Sequence, residues 1–346
     1  ELSRADRDRW NGAPVDAGYN NHGSLEERIE SMRRLAFVFD KDLRVDGDGA
    51  GGISFEAAAN SIVATGWGGI ILTAGTVGTE GASLSNIGNL STQNGNITLT
   101  AADDIEINGA LSAQGATIEA AAGDSITFQA GSSVSGGYSG PVKIRVDADD
   151  DSADTLTLLS TTFNSGTCQL SGSATDANDT LVVLMKGVIW TVTGLNSGSI
   201  GGSIEMATFS DFSNLRGGDY ADQFTISSGI GSISGEAGDD VFEILDGASF
   251  SLLDGGPNDT AAGDKVSYSA RTNGVNLSIS DFVGIETLEG SIFMDTLKGS
   301  GESDEFVVSG IDQGSANGMA YSSFEYLQGL GGDDTFTIAA GATAQI

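Results

Sequence analysis

Ile97, Ile105 and Ile107 recur as Ile118, Ile126 and Phe128, each 21 residues later. A chain that returns its apolar positions at a fixed interval brings the same side chains back to one shared interior, and two independent two-sheet domains would not need that register. The runs Ile53-Ser-Phe55-Glu-Ala57, Ile70-Ile-Leu72-Thr-Ala74, Ile97-Thr-Leu99-Thr-Ala101 and Ile118-Glu-Ala120-Ala-Ala122 share one inward-outward alternation. This period matches one coil of a parallel β-helix, with Gly, Asn and Asp at the corners. The earlier spacings of 17 and 27 then read as loops of different length on a fixed coil.

Composition agrees with repetition. Among 346 residues are 51 glycines and 3 prolines, and isolated Ile, Leu, Val and Phe alternate with Gly, Ser, Thr, Asp and Asn. One cysteine, Cys168, excludes an internal disulfide framework and a multi-cysteine zinc site; it reads as a small buried hydrophobe. The sequence starts at Glu1 without Met or an apolar signal core, and no run approaches the ~18 apolar residues that span a bilayer. It reads as a mature or excised piece of something longer, with no transmembrane segment.

The region 50–145 resembles the β-helical repeats of filamentous-haemagglutinin-like and other giant bacterial surface proteins. Ahead of it, Ser24 and Glu27 form a capping box, and Leu25, Ile29, Met32 and Ala36 share one face, which predicts an amphipathic helix at about 24–38. We assign residues 1–23 to an arm and 24–45 to a capping helix that covers an open end of the stack. Eight of the fifteen basic residues lie in the first 45 positions; the other 301 residues carry 39 acidic and 7 basic side chains.

A second repeat type follows the acidic stretch at 146–154. Its copies include LRGGDYADQFTI near 215, ISGEAGDDVFEI near 233, LEGSIFMDTLKG near 288 and LQGLGGDDTFTI near 327. The shared form is an apolar residue, x, Gly, four variable residues, Asp, x, and Phe or Leu. It resembles the calcium-binding nonapeptide of RTX (haemolysin-type) β-rolls, G-G-x-G-x-D-x-U-x, with departures at Tyr220 and Glu236. That resemblance implies calcium as the cofactor, with Asp222, Asp240, Asp259, Asp295, Asp304 and Asp334 as its carboxylate ligands. Asp222 and Asp240, 18 residues apart, would share an ion across one coil of two nonapeptides, whereas ISSGIGSIS at 226–234 carries no acid and leaves the opposite side unable to bind.

The expected architecture is therefore all-β: a right-handed parallel β-helix, or β-solenoid, with one short N-terminal helix. It comprises haemagglutinin-like coils over 46–146 and degenerate RTX-like coils over 147–346, continuous with one another. About 14 to 16 coils of ~20 residues, rising ~4.8 Å each, would make a rod of ~70 Å.

A net charge of -33 excludes nucleic acid and anionic membranes as natural partners and favours divalent cations and basic surfaces. Parallel β-helices also host calcium-dependent polysaccharide lyases. The nearest arrangement of that kind is Lys143 and Arg145 beside Asp147 and Asp149, which reads more simply as a solvated strand face. His22 is the only histidine and precedes the helix in a polar loop, so no histidine-based triad is expected in the coils. These features, with the resemblances, imply an exported structural protein and not an enzyme: an extracellular or cell-surface subunit of bacterial type, calcium-stabilised and joining copies head-to-tail into a filament or layer. A monomeric stalk of a giant adhesin, with cell-surface glycans as partners, and a polysaccharide lyase are the alternatives.

Overall fold

A computed structural model describes residues 36–37, 43–47, 52–55, 61–64, 67–75, 81–148, 153–175, 178–202 and 207–343. The chain divides into two compact units, Glu1–Gln169 and Leu170–Ile346. Among the described residues both consist mainly of strands, most of them paired in parallel with strands one pass of the chain earlier and later; we call each pass a rung.

In the first unit a rung has three strands. Strand Ile97–Ala101 buries Ile97, Leu99 and Ala101 and turns Thr98 and Thr100 outward, because successive side chains of a strand point to opposite faces. It pairs in register with Ile118–Ala122, Ile97 opposite Ile118 and Leu99 opposite Ala120. Ile105–Ile107 pairs with Ile126–Phe128 at the same offset, and Leu90 lies opposite Leu111. The 21-residue period is thus one rung, and its isoleucines form continuous buried columns. The spacing of 27 is also a rung, with Ile70 opposite Ile97. The spacing of 17 is not. Ile53 pairs with Leu84 on another face, so Ile53 and Ile70 belong to different columns and share only their alternation.

The expected helix at 24–38 lies mostly outside the described residues. Its end does not: Ala36–Phe37 is a strand whose residues face Val63 and Ala64 in parallel. The run Leu35-Ala-Phe-Val-Phe39 suits a buried strand as well as a helix face, and a neighbouring rung supplies the hydrogen bonds that decide between them. Among the described residues the sole helical element is the 3₁₀ turn Ile279–Asp281, capped by Ser278.

In the second unit most rungs have two principal strands. Trp190, Phe224, Phe242, Val266, Leu288 and Tyr321 face one another in successive rungs as a single inner column. The Trp190 and Phe224 rings stack at 5.5 Å, and those of Phe224 and Phe242 at 4.9 Å. Phe306 and Phe336 repeat this at 4.8 Å. Identical rungs force like onto like, and offset ring stacking adds about 0.5–1.5 kcal/mol per pair beyond the buried area.

The pairing is not wholly parallel. Val188–Gly194, Ser197–Gly202 and Ala207–Ser210 form an antiparallel meander, as do Glu305–Gly310, Gln313–Ala316 and Met319–Ser322. The two meanders match in detail. Each shifts register before its turn, at Val192/Gly194 and at Val308/Gly310, and each tip exposes an aliphatic side chain, Leu195 or Ile311. The signal was Asn317-Gly318, a dipeptide suited to the two left-handed positions of a tight hairpin; both have positive φ, 47° and 89°.

Candidate functional site

The acidic residue of the second repeat does not stand in the solvent-facing turn. In the sequence acid-x-apolar the apolar residue enters the core, so the acid, two positions earlier, also points inward. Asp222, Asp240, Asp264, Asp295 and Asp304 are all buried, at 0–3 % exposure. A buried carboxylate needs donors, and here they are backbone amides.

One set of amides comes from the neighbouring rung. Val188 N–H donates to Asp222 Oδ1 over 2.8 Å, Asp222 N–H to Asp240 Oδ1 over 2.7 Å, Asp240 N–H to Asp264 Oδ1 over 2.6 Å, and Asp264 N–H to Glu286 Oε2 over 2.9 Å. Elsewhere in this unit Val275 N–H donates to Asp295, Asp295 N–H to Glu325, and Asp304 N–H to Asp334. The other set comes from the residue's own turn: Gly218 N–H reaches Asp222 Oδ2, Ser291 N–H reaches Asp295 Oδ2, and Ser300 N–H reaches Asp304 Oδ2 at 2.6 Å.

The glycine of the repeat makes this possible. A Cβ on Gly217 would lie 2.6 Å from Asp222 Oδ2, and one on Gly290 2.6 Å from Asp295 Oδ2. Gly235, Gly255, Gly299 and Gly329 stand in the same relation to Asp240, Asp264, Asp304 and Asp334. Gly and Asp therefore recur together because the carboxylate occupies the space that a side chain would fill.

Of the six residues expected to hold calcium, Asp222, Asp295 and Asp304 have both carboxylate oxygens engaged by donors. Asp240 and Asp334 accept from the preceding rung. Asp259 is exposed, and its own N–H donates to Asp239. Among the described residues none of the six belongs to a trio of acidic side chains with ligand atoms within 4.8 Å of one another. The structure thus sets Asp222 and Asp240 in one ladder, joined through a backbone amide.

The ladder also contains Asp264 and Glu286, and Glu325 holds the same place beside Asp295; the nonapeptide pattern misses all three. After an inserted loop, Asp264-Lys-Val266 and not Asp259 continues it. The broader rule of an acid two positions before a registered core residue finds all three.

Burial raises three carboxyls of the ladder against the pull of their amide donors. Desolvation pushes Asp240 up to about 7, opposed by the Asp222 N–H and reinforced by the charges of Asp264, Asp222 and Asp239. It pushes Asp222 and Asp264 up to about 6. Oδ2 of Asp240 and Oδ2 of Asp264 are buried without a hydrogen-bond partner. The basic residues close in sequence pair elsewhere: Arg216 with Glu236 at 2.6 Å and Lys265 with Glu289 at 2.9 Å.

The first unit has a weaker counterpart running the other way. Ala110, Thr117 and Ser125 donate their N–H groups to Asn89, Asn96 and Asp104, each 21 residues earlier. Lys143 and Arg145 do face outward as expected, but Asp147 is fully buried and does not join them on that face; Asp149 lies outside the described residues. An open groove of about 300 Å³ in the second unit, lined by Ile279, Phe282, Ile285, Asn317 and Met319 among others, has no charged residue in its lining. Cys168 is buried, and its thiol is pushed up to about 12. No helix among the described residues is long and apolar enough to cross a membrane.

No protein-family model, curated protein or solved structure matches the chain.

Proposed function

We propose that the chain is a structural segment of an exported bacterial repeat protein, a right-handed β-solenoid whose work is to hold a surface or extracellular assembly together, and that it is not an enzyme. The observation that carries this reading is the interlock between rungs. Each glycine and aspartate pair fixes one rung to the next through charge-assisted hydrogen bonds, while like aromatic rings stack beneath it. Such a design resists sliding and separation of rungs, which is what a spacer or filament subunit must do. Each rung is supported chiefly by its neighbours, so length can be added without changing the core.

A net charge of -33 makes the isolated chain strongly self-repelling. Calcium enters the reading as the counter-ion of exposed carboxylates that lets copies approach and join end to end. Electron microscopy of the purified chain, with millimolar calcium and again with excess chelator, tests it. Uniform fibres that require calcium are the expected result. Single particles in both conditions would reduce the reading to a non-assembling stalk, and release of unsaturated products from an acidic glycan would overturn it.

A further inference from the structure

Ile292, Phe293 and Met294 are 83 %, 42 % and 63 % exposed in the turn 290–295 of the second unit, which joins strand Thr287–Glu289 to strand Thr296–Lys298. The turn does not need them. Its shape is set by Ser291, whose N–H and hydroxyl donate to Asp295 and whose Oγ accepts the Phe293 N–H. Ser300 and Asp304 hold the turn 299–304 with the same three bonds, around the small or polar residues Gly301, Glu302 and Ser303. A run of three exposed apolar side chains without a folding role marks a contact surface.

The open groove of about 300 Å³ lies at the other corner of the same rung. Phe282 and Ile285 in its lining precede Thr287–Glu289, Ser300 follows Thr296–Lys298, and Ala316 and Met319 come from the antiparallel hairpin. The apolar turn and the groove are therefore separated by the length of both strands, and a copy cannot seat its own turn in its own groove. A cavity of ~150 Å³ accepts a benzene-sized group, so the groove has room for about two large side chains. Neither the groove lining nor the three turn residues carry a charge, in a chain of net charge -33. Two copies repel over most of their surface, and these two neutral surfaces of opposite shape are where they can meet.

We propose that the Ile292-Phe293-Met294 turn of one copy docks in the groove of a second copy, between Phe282 and Ile285 on one side and Ala316 and Met319 on the other. The contact joins two different surfaces, so each copy still offers a free turn and a free groove, and copies add in an open row. It rests on the reading of the chain as an assembling subunit and adds a contact through the corners of the rungs to the contact through their ends. Three side chains bury far less than the ~1,600 Å² of a standard interface, so a single contact is weak and depends on concentration. It uses no ion, and salt that screens the acidic surfaces strengthens it.

The test is sedimentation of the full chain in chelator and about 0.5 M sodium chloride, from about 10 μM to about 1 mM. The weight-average mass of the wild type should at least double across this range. Ile292→Ser/Phe293→Ser/Met294→Ser, which alters only exposed side chains, and Met319→Glu, which puts a charge in the groove, should each stay single. An equimolar mixture of the two should form pairs and nothing longer, because one supplies the groove and the other the turn. Should Met319→Glu not fold, Ser280→Glu, at an exposed position on the groove, replaces it. A wild type that stays single, a variant that associates like the wild type, or a mixture without pairs overturns the proposal. Turn-dependent flotation of a single wild type with neutral phosphatidylcholine vesicles would assign the turn to a membrane and overturn it as well. The calcium-dependent fibres are scored separately: fibres that survive in the turn variant leave the structural reading standing without this contact, and pairs in chelator without fibres in calcium leave this contact standing alone.

Discussion

Asp222 and Asp240 are joined by a 2.7 Å hydrogen bond from the backbone N–H of the first to the carboxylate of the second, across one rung and 18 residues of chain. The side chain of each acid thus ties down the backbone that carries the acid before it. This relationship makes the repeat a mechanical element, and its consequences can be measured.

The glycine and the aspartate act as one unit. Replacing Gly235 by Ala places a methyl group against Asp240 Oδ2 and the Gly255 carbonyl, both held in the stack. We expect Gly235→Ala to destabilise by about 2–4 kcal/mol in chemical denaturation. Gly301→Ala, with nothing within 4 Å of the added carbon, should stay within about 0.5 kcal/mol. Equal effects would show that crowding at the carboxylate is not the reason for the glycine.

Asp295 receives the N–H groups of Val275 and Ser291 and the Ser291 hydroxyl while fully buried. Asp295→Ala strands these donors and should lower stability by about 3 kcal/mol in the absence of any metal. Asp259→Ala, at an exposed position, should change stability by less than about 0.5 kcal/mol. The two melting curves in chelator separate a structural carboxylate from a surface one.

Trp190 heads the aromatic column, yet its buried Nε1–H has no partner. Phe at this position keeps the stacking face and removes the unsatisfied donor, so Trp190→Phe is expected within about 1 kcal/mol of wild type. Trp190→Ala should cost about 3–5 kcal/mol through the cavity it opens. A severe loss in the Phe variant would mean that indole volume decides the site.

Asn317 holds a left-handed turn, accepts the Glu305 N–H at 2.8 Å and donates to Asp304 at 2.7 Å. Asn317→Ala should cost about 2 kcal/mol, from strain and two lost hydrogen bonds. Asn317→Gly restores the conformation without the bonds and should recover about half. Comparable unfolding midpoints for the two variants would show that the hydrogen bonds dominate.

The sequence was most legible where spacing was regular. The 21-residue recurrence from Ile97 to Ile118 and the 18-residue step from Asp222 to Asp240 are both single rungs, because identical spacing stacks identical side chains. It misled where alternation alone was matched. Ile53 and Ile70 look alike locally and occupy different faces, since a two-residue period says which way a side chain points and not which strand lies beside it. The antiparallel meanders were hidden within a parallel reading although Asn317-Gly318 marked one of them.

The carboxylates divide in the same way. The recurrence of Gly and Asp before a core aromatic was plain in the chain, and it placed Asp222, Asp240, Asp295, Asp304 and Asp334 at equivalent corners. Which atoms those oxygens meet was not, because the donors come from residues up to 34 positions away and from glycines whose missing side chains leave the space. Periodicity by itself determined the stacked, all-β character of this protein, since only a repeating path buries side chains at repeating positions. Tertiary structure decided that the acids face inward and bind amides, because burial and donor geometry exist only once neighbouring rungs are in place.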